Sequence, residues 1–355
     1  MTRITAGVDV SPTIQGTTGI SRYATALVQS LPCVDVDVRS FAVGRATVPP
    51  ATGVRHLPVP SRLMGPLWRA TGRPRAERLV GPVDVVHGTS VPPPPSKRPR
   101  LVTVHDLAAL HHPGLHPRRT VAAMEALVAE LPRLAGVLAD TETVARELAE
   151  RGVPLERTTV APVGRTLLPG PVDPAVDLDA WLLCVGETNR RKNIGLVLDA
   201  LARSSHRDLG LVVAGPPGND DGHLRSRAHE LGLASRVRFP GSVSDARLAG
   251  LYRDALALCY VSFAEGFGLP VVEAMAAGTP VVCSDLPVLR EVAGDVATFV
   301  DVDDTDALVA AIDAVIALAP ASRTARAEAG RTRAGRFTWE ACAQATRAAY
   351  DRALA

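Results

Sequence analysis

Over nearly the whole chain, short continuous apolar runs alternate with segments in which apolar residues return every three or four positions. ITAGVDV precedes ISRYATALVQSL, VDVVHG follows, RLVTVHDL precedes TVAAMEALVAELPRL, and GVLAD precedes ETVARELAERG. A second series pairs WLLCVGE with NIGLVLDALARS, LGLVVAG with HLRSRAHELG, and RVRFPG with DARLAGLYRDA. It continues through ALALCYVS with LPVVEAMAAG, and TPVVCSD with LPVLREVAG. Runs of the first kind suit strands buried on both faces, and the others suit helices with one apolar side. Their alternation predicts right-handed βαβ units and parallel sheets covered by helices, an α/β architecture built twice.

The two series are separated by RTLLPGPVDPAVDLDA at 165–180, where three prolines and no helical period predict a linker. A chain of 355 residues suits two domains of about 150–200 residues. The expected boundaries are 1–168 and 169–336. FTWEACAQATRAAYDRAL (337–354) has helical spacing behind Thr338, a suitable cap, and is expected to cross back to the first domain. PPPPSKRPR at 92–100 reads as a stiff loop.

A hydrophobic share of 46% and a charged share of 21%, without any apolar run near the roughly 20 residues that span a bilayer, exclude an integral membrane protein. MTRITAGVDVSP lacks the apolar core of a signal peptide, so a cytoplasmic location is expected. Five scattered cysteines without a CxxC suggest neither a disulfide framework nor a zinc site. With a net charge of +2, nothing global calls for nucleic acid, and any anion must be met locally.

In open α/β sheets ligands sit at the carboxyl ends of strands, where helix N-termini present N–H groups and partial positive charge. Three such exits stand out. VSPTIQGTTGISRY carries Gly16 and Gly19 just before a helix, although a plain tight turn would read the same. VGETNRRKNIGLVL places Arg190, Arg191 and Lys192 at a helix start, where cations oppose the helix dipole. A bound diphosphate would offset them; a solvated basic loop is the bland alternative. FAEGFGLPVVEAM sets Glu265 before Gly266, Phe267, Gly268 and Leu269, and Glu273 inside the helix that Pro270 opens. Glu273 can accept both hydroxyls of a ribose, and Glu265 would face whatever leads on from the phosphates. As a bare pattern, two glutamates at a polar helix start are as readily structural.

The combination GISRY, TVHDLAALHHP, VGETNRRKN, FPGSVSDARLAGLY and SFAEGFGLPVVEAMAAGTPVVCSDLPVLREVAGD resembles the retaining glycosyltransferases of family 4, especially mannosyltransferase-like members. The resemblance covers almost the entire chain, most loosely between residues 30 and 80. It implies a GT-B fold, with two Rossmann-like doubly wound parallel-sheet domains facing a cleft. It also implies transfer of a hexose, mannose first, from a nucleoside diphosphate sugar, with GDP-sugar ahead of UDP-sugar and no metal or other cofactor. Arg191 and Lys192 would neutralise the diphosphate, with Gly16 and Gly19 offering backbone amides. Glu273 would hold the ribose, and Glu265 with the backbone of Gly266, Phe267, Gly268 and Leu269 the transferred sugar. Gly241 and Val243 would lie beside the base, and His105 near the reacting centre.

Three positions depart from the family pattern. Glu187 follows Gly186 where relatives often carry Arg, which moves one phosphate contact toward Arg190 or Arg191. Ser21 replaces a commoner glycine, and Val261 a proline. Rival readings are a metal-dependent transferase using Asp35-Val36-Asp37, an NAD enzyme using IQGTTGI, and a non-catalytic nucleotide-sugar binder. The acceptor, whether saccharide, lipid-linked or small molecule, is not encoded in a motif. SRLMGPLWRATGRPRAERLV (61–80) reads first as an ordinary helix with a solvated basic face, and second as a peripheral membrane patch.

Overall fold

The computed structural model describes residues 3–16, 18–166, 168, 170, 172 and 176–355, without the side chains of Ser61 and Arg62. Part of the linker read at 165–180 lies outside the described residues. The chain forms two compact units. Unit 1 comprises Met1–Pro113, Pro117–Gly164 and Phe337–Ala355, and unit 2 comprises Gly114–His116 and Arg165–Arg336.

Unit 1 carries seven strands: β1 (Ile4–Asp9), β2 (Val36–Val43), β3 (Arg55–Leu57), β4 (Val85–Gly88), β5 (Arg100–Val104), β6 (Gly136–Ala139) and β7 (Thr158–Val160). They form one parallel sheet in the order β3-β2-β1-β4-β5-β6-β7. Ile4 of β1 pairs with Val36, and Ala6 with Val85, so β1 is enclosed by neighbours on both sides. Val102, Val104, Leu127, Leu131, Val137 and Leu148 belong to one apolar cluster, and Phe41, Val43, Met64, Val80 and Val86 to another.

The helix Trp339–Leu354, capped by Thr338, completes this unit. Its Tyr350 hydroxyl bonds His87 at 2.7 Å, and Arg347 donates to the carbonyl of Val34 at 2.9 Å.

Unit 2 carries β8 (Ala180–Val185), β9 (Leu209–Ala214), β10 (Val237–Gly241), β11 (Ala257–Tyr260), β12 (Val281–Ser284) and β13 (Thr298–Val300). They form a parallel sheet in the order β10-β9-β8-β11-β12-β13. Winding runs outward from β8 to β10 on one side and from β11 to β13 on the other. The loops at the carboxyl ends of β8 and β11 therefore diverge, which opens the crevice that ligands occupy in doubly wound sheets. Unit 1 has the same reversal between β1 and β4.

Candidate functional site

In unit 2, β8 leads through Gly186 to a single tight turn, Arg190–Lys192, which Asn193 ends in the left-handed conformation at φ 51°. The Asn193 side-chain amide donates to the carbonyl of Val302 at 2.8 Å and fixes that turn ahead of the helix Ile194–Arg203. On the other side of the winding reversal, β11 leads into the loop carrying Glu265. One backbone and one side-chain hydrogen bond stitch the loops together: Phe263 N–H donates to the Arg191 carbonyl at 2.9 Å, and the Arg191 guanidinium donates to the Ala264 carbonyl.

Two cations converge on one carboxylate there. Glu265 Oε1 accepts from Lys192 Nζ at 2.7 Å and lies 2.9 Å from Arg191 Nη1, with side-chain exposures of 8%, 11% and 16% respectively. Lys192 Nζ also donates to the Tyr260 hydroxyl at 2.8 Å. Burial, the largest single effect, pushes the Glu265 carboxyl upward. The charges of Arg191 and Lys192 and the Lys192 hydrogen bond together outweigh it and hold its pKa at about 2. Burial first, and Glu265 next, drive the Tyr260 hydroxyl well above the ordinary phenol range, so it stays neutral.

The helix Leu269–Ala277 begins behind Gly268, at φ 95°. That conformation favours glycine, and a Cβ there would also lie 2.8 Å from Leu289 Cδ2 and force that side chain to shift. Glu273 is buried, and its Oε2 accepts from the Tyr252 hydroxyl at 2.9 Å. Tyr252, fully buried on the helix Asp245–Asp254, is itself anchored because its carbonyl accepts from Thr279 Oγ1 at 2.6 Å. Phe267 is buried. Gly241 closes β10 at φ 72°, and Val243 follows it, half-buried. Thus unit 2 gathers Arg191, Lys192 and Glu265 in direct contact, with Gly266 to Glu273 continuing the same loop and helix. Glu187 is exposed, and the exposed Arg190 guanidinium lies 3.9 Å from Asp220.

In unit 1, Gly16 takes φ 108° after β1, and Gly19 opens the helix Gly19–Ser30. Thr18 and Ser21 cap one another reciprocally, the Thr18 N–H donating to Ser21 Oγ at 2.7 Å and the Ser21 N–H to Thr18 Oγ1 at 3.1 Å. The serine that departs from the family pattern is therefore half of a capping box. A Cβ on Gly19 would meet nothing within 4 Å, so packing does not demand glycine there. Close approach of a ligand would.

His105 follows β5 and is held on both ring nitrogens, Nδ1 2.7 Å from Asp140 Oδ2 and Nε2 2.8 Å from the Thr89 carbonyl. A carbonyl only accepts, so Nε2 carries a proton. Burial opposes a second proton, but Asp140 outweighs it and raises the His105 pKa. Behind it, His87 bridges Tyr350 and Thr103 and is kept neutral by burial, its pKa lowered to about 3. Asp35 and Asp37 stand at the amino end of β2, the edge opposite to the one where ligands bind.

Residues 17–166 match the model of Glycosyltransferase Family 4, and residues 175–333 that of glycosyl transferases group 1. O-antigen chain mannosyltransferase B of Escherichia coli is 31% identical over 282 residues, which cover 75% of this chain and 74% of that relative. The chain belongs to the group 1 glycosyl transferases. A D-inositol 3-phosphate glycosyltransferase of Geodermatophilus obscurus is 35% identical over 283 residues, 72% of this glycosyltransferase and 61% of the relative. Among solved structures, sucrose-phosphate synthase from Thermosynechococcus elongatus superposes with a TM-score of 0.80 at 21% identity, covering 98% of each chain. Anabaena HepE in complex with UDP and glucose gives 0.74 at 16% identity, covering 98% of this chain and 99% of HepE. The fold is GT-B.

Two residues of this glycosyltransferase escaped the sequence reading as site residues. Tyr260 and Tyr252 sit in stretches that look like an ordinary strand and an ordinary helix, yet their hydroxyls position Lys192 and Glu273. A tyrosine in an otherwise aliphatic buried run was the available signal, since its hydroxyl needs a partner.

Proposed function

We propose that this glycosyltransferase moves a hexose, mannose first, from a nucleoside diphosphate sugar to an acceptor hydroxyl with retention of configuration and without a metal ion. GDP-sugar is the first donor and UDP-sugar the second. The observation that carries the reading is the convergence of Arg191 and Lys192 on Glu265 beside the winding reversal of unit 2. Cleaving the bond from the anomeric carbon to the diphosphate oxygen develops negative charge on that oxygen and positive charge on the carbon. Fixed cations at the oxygen lower that barrier, by about 10² to 10³ in rate per donor in comparable sites.

In this reading Arg191 and Lys192 turn from Glu265 toward the diphosphate as it arrives, and Glu265 receives the sugar hydroxyls. Glu273, steadied by Tyr252, receives the ribose diol, and Gly241 and Val243 flank the base. In unit 1, the amides of the helix start behind Gly16 and Gly19 suit an anion by the dipole argument. His105, already fixed by Asp140 and Thr89, serves to position groups rather than to shuttle protons. The acceptor oxygen forms the new bond from the leaving-group side, and its proton passes to the departing diphosphate.

The mannosyltransferase name of the Escherichia coli relative supports mannose, and the UDP and glucose bound to HepE support a UDP-sugar as the second donor. A thermal-shift screen with GDP, UDP, ADP and NAD, with and without EDTA, tests the donor class. A ligand at 100 times its Kd adds about 2.7 kcal/mol. Stabilisation by GDP or UDP that EDTA leaves unchanged is expected; a response only to NAD, or only with added metal, overturns the reading. The anomeric coupling constant of the product tests retention.

A further inference from the structure

The edge of the first sheet is only partly covered. β2 runs over Val36–Val43, yet β3, the outermost strand, pairs only with its last three residues, from Phe41 to Val43. Ile4 N–H donates to the Asp35 carbonyl at 3.2 Å and Val10 N–H to the Phe41 carbonyl at 2.7 Å, so odd-numbered residues of this strand turn their backbone polar groups toward β1. Even-numbered residues turn theirs outward, as Gly44, just beyond the strand, does in donating to the Leu57 carbonyl at 3.1 Å. Val38 and Ser40 therefore point backbone groups away from the sheet where no strand pairs with them. Both line a groove of about 690 Å³, together with Thr25 and Val28 of the helix Gly19–Ser30 and with Thr52 and Val54 ahead of β3.

The charges along this edge are ordered. Asp37 and Arg39 flank Val38 and share one face of the strand. The Asp37 side chain is 47% exposed, and Arg39 is held at the edge because its Nη1 donates to the Pro82 carbonyl at 2.8 Å and to the Val80 carbonyl at 3.2 Å. Asp35, ahead of the strand, and Arg55, at the start of β3, are exposed.

We propose that a second copy of this chain pairs here, the two β2 edges running antiparallel about a two-fold axis at Val38 and joining both first sheets into one. In that register Val38 exchanges two backbone hydrogen bonds with its own symmetry mate, Val36 faces Ser40 of the second copy, and Asp37 faces Arg39 twice over. Phe41 then stands opposite Asp35, and since Arg55 pairs with Phe41, Arg55 of one copy meets Asp35 of the other end to end. An unrelated extended peptide would gain only the backbone bonds, whereas the order Asp37-Val38-Arg39 complements itself when reversed. That complementarity selects the chain itself as the occupant. A pairing limited to residues 36–40 buries less than the roughly 1,200 Å² of a tight complex, so a Kd on the order of 10 µM is expected. The contact lies in the amino-terminal half of β2, away from the strand ends where ligand loops gather, and it does not depend on which sugar is transferred.

Sedimentation velocity of the full chain between about 1 and 200 µM tests it, and a monomer–dimer equilibrium in that range is expected. Asp37→Arg and Arg39→Asp each set like charges opposite one another and should each weaken the dimer on the order of tenfold. An equimolar mixture of the two variants should restore it, because each chain then faces its complement. Arg39→Asp also gives up the bonds to Val80 and Pro82, but a folding defect is not rescued by mixing. Val38→Pro removes an outward N–H without touching the β1 ladder, so it should leave a monomer with an unchanged circular dichroism spectrum. A monomer up to about 200 µM overturns the inference, whether or not an added extended peptide binds the edge. So does a dimer that survives Asp37→Arg and Val38→Pro, a loss that mixing fails to reverse, or a dimer dissolved instead by changing the exposed Leu63 and Leu67 to serine. Failure of the donor reading would leave the sedimentation profile untouched.

Discussion

Replacing Glu265 with glutamine removes one negative charge and keeps the side-chain shape. Arg191 and Lys192, whose side chains are only 16% and 11% exposed, then lose the carboxylate on which both converge. The depression of the Glu265 pKa from 4.5 to about 2 sets the order of magnitude of what its ionised form gains from the folded surroundings. That gain is about 3 kcal/mol, within the range found when one partner of a buried ion pair is removed. For a unit of this size each kcal/mol moves a thermal midpoint by about 2–4 °C, so the variant should melt about 6–12 °C lower at pH 7.

The sign follows from the depressed pKa. The stabilisation is complete above the unfolded carboxyl value near 4.5 and disappears as pH falls toward 2, so the two proteins should converge in acid. A nucleoside diphosphate would supply the missing negative charge. GDP or UDP should therefore raise the midpoint of Glu265→Gln by more than it raises that of the parent, while sugar transfer falls. Differential scanning calorimetry from pH 7 to 3, with and without nucleotide, measures both effects. An unchanged midpoint at pH 7 would contradict the ion-pair argument, and a smaller nucleotide shift in the variant would contradict the role given to the two cations.

Lys192→Ala and Glu273→Ala should each cut transfer by roughly tenfold or more with an unchanged circular dichroism spectrum, the former mainly in kcat and the latter mainly in donor KM. Parent-like turnover in both would remove the site assignment. Tyr252→Phe removes the hydroxyl that donates to Glu273, so donor KM should rise severalfold with kcat nearly constant, as initial-rate kinetics would show. His87 has a folded pKa near 3 against an ordinary 6.5, so the unfolded chain binds its proton first. Stability of unit 1 should then decline as pH falls below 6.5, by up to about 1.4 kcal/mol per pH unit from this group. Urea titrations of His87→Gln should show a correspondingly flatter acid limb.

The double α/β architecture was legible because parallel strands covered on both faces leave continuous apolar runs, such as LGLVVA and AWLLCV, that no helix period imitates. What stayed hidden has physical reasons. Strands β3, β7 and β13 are three residues each, too short for any period. The helices Thr305–Ile316 and Pro320–Ala334 fall after the last run that the alternation picked out. At the site, Arg191, Lys192, Glu265 and Glu273 could be named from strand exits and glycines. Their supports could not, because Tyr252 and Tyr260 reach partners 21 and 68 positions away. His105 looked in sequence like a lone polar residue at a strand end, and its partner Asp140 lies 35 positions further on. Only the sheet order brings the two together.

Unit 1 is discontinuous, and that sets a timetable for its synthesis. A nascent chain ending near Gly164 has all seven strands of the first sheet but lacks the tyrosine that satisfies His87 and the arginine that binds the turn at Val34. Those groups emerge only after the whole of unit 2, a delay of about 10–35 s at ordinary translation rates. In the interval the later-made unit can finish its own core, while the earlier one waits with a buried imidazole short of a partner. The first half of the polypeptide to leave the ribosome is thus the second to complete its contacts.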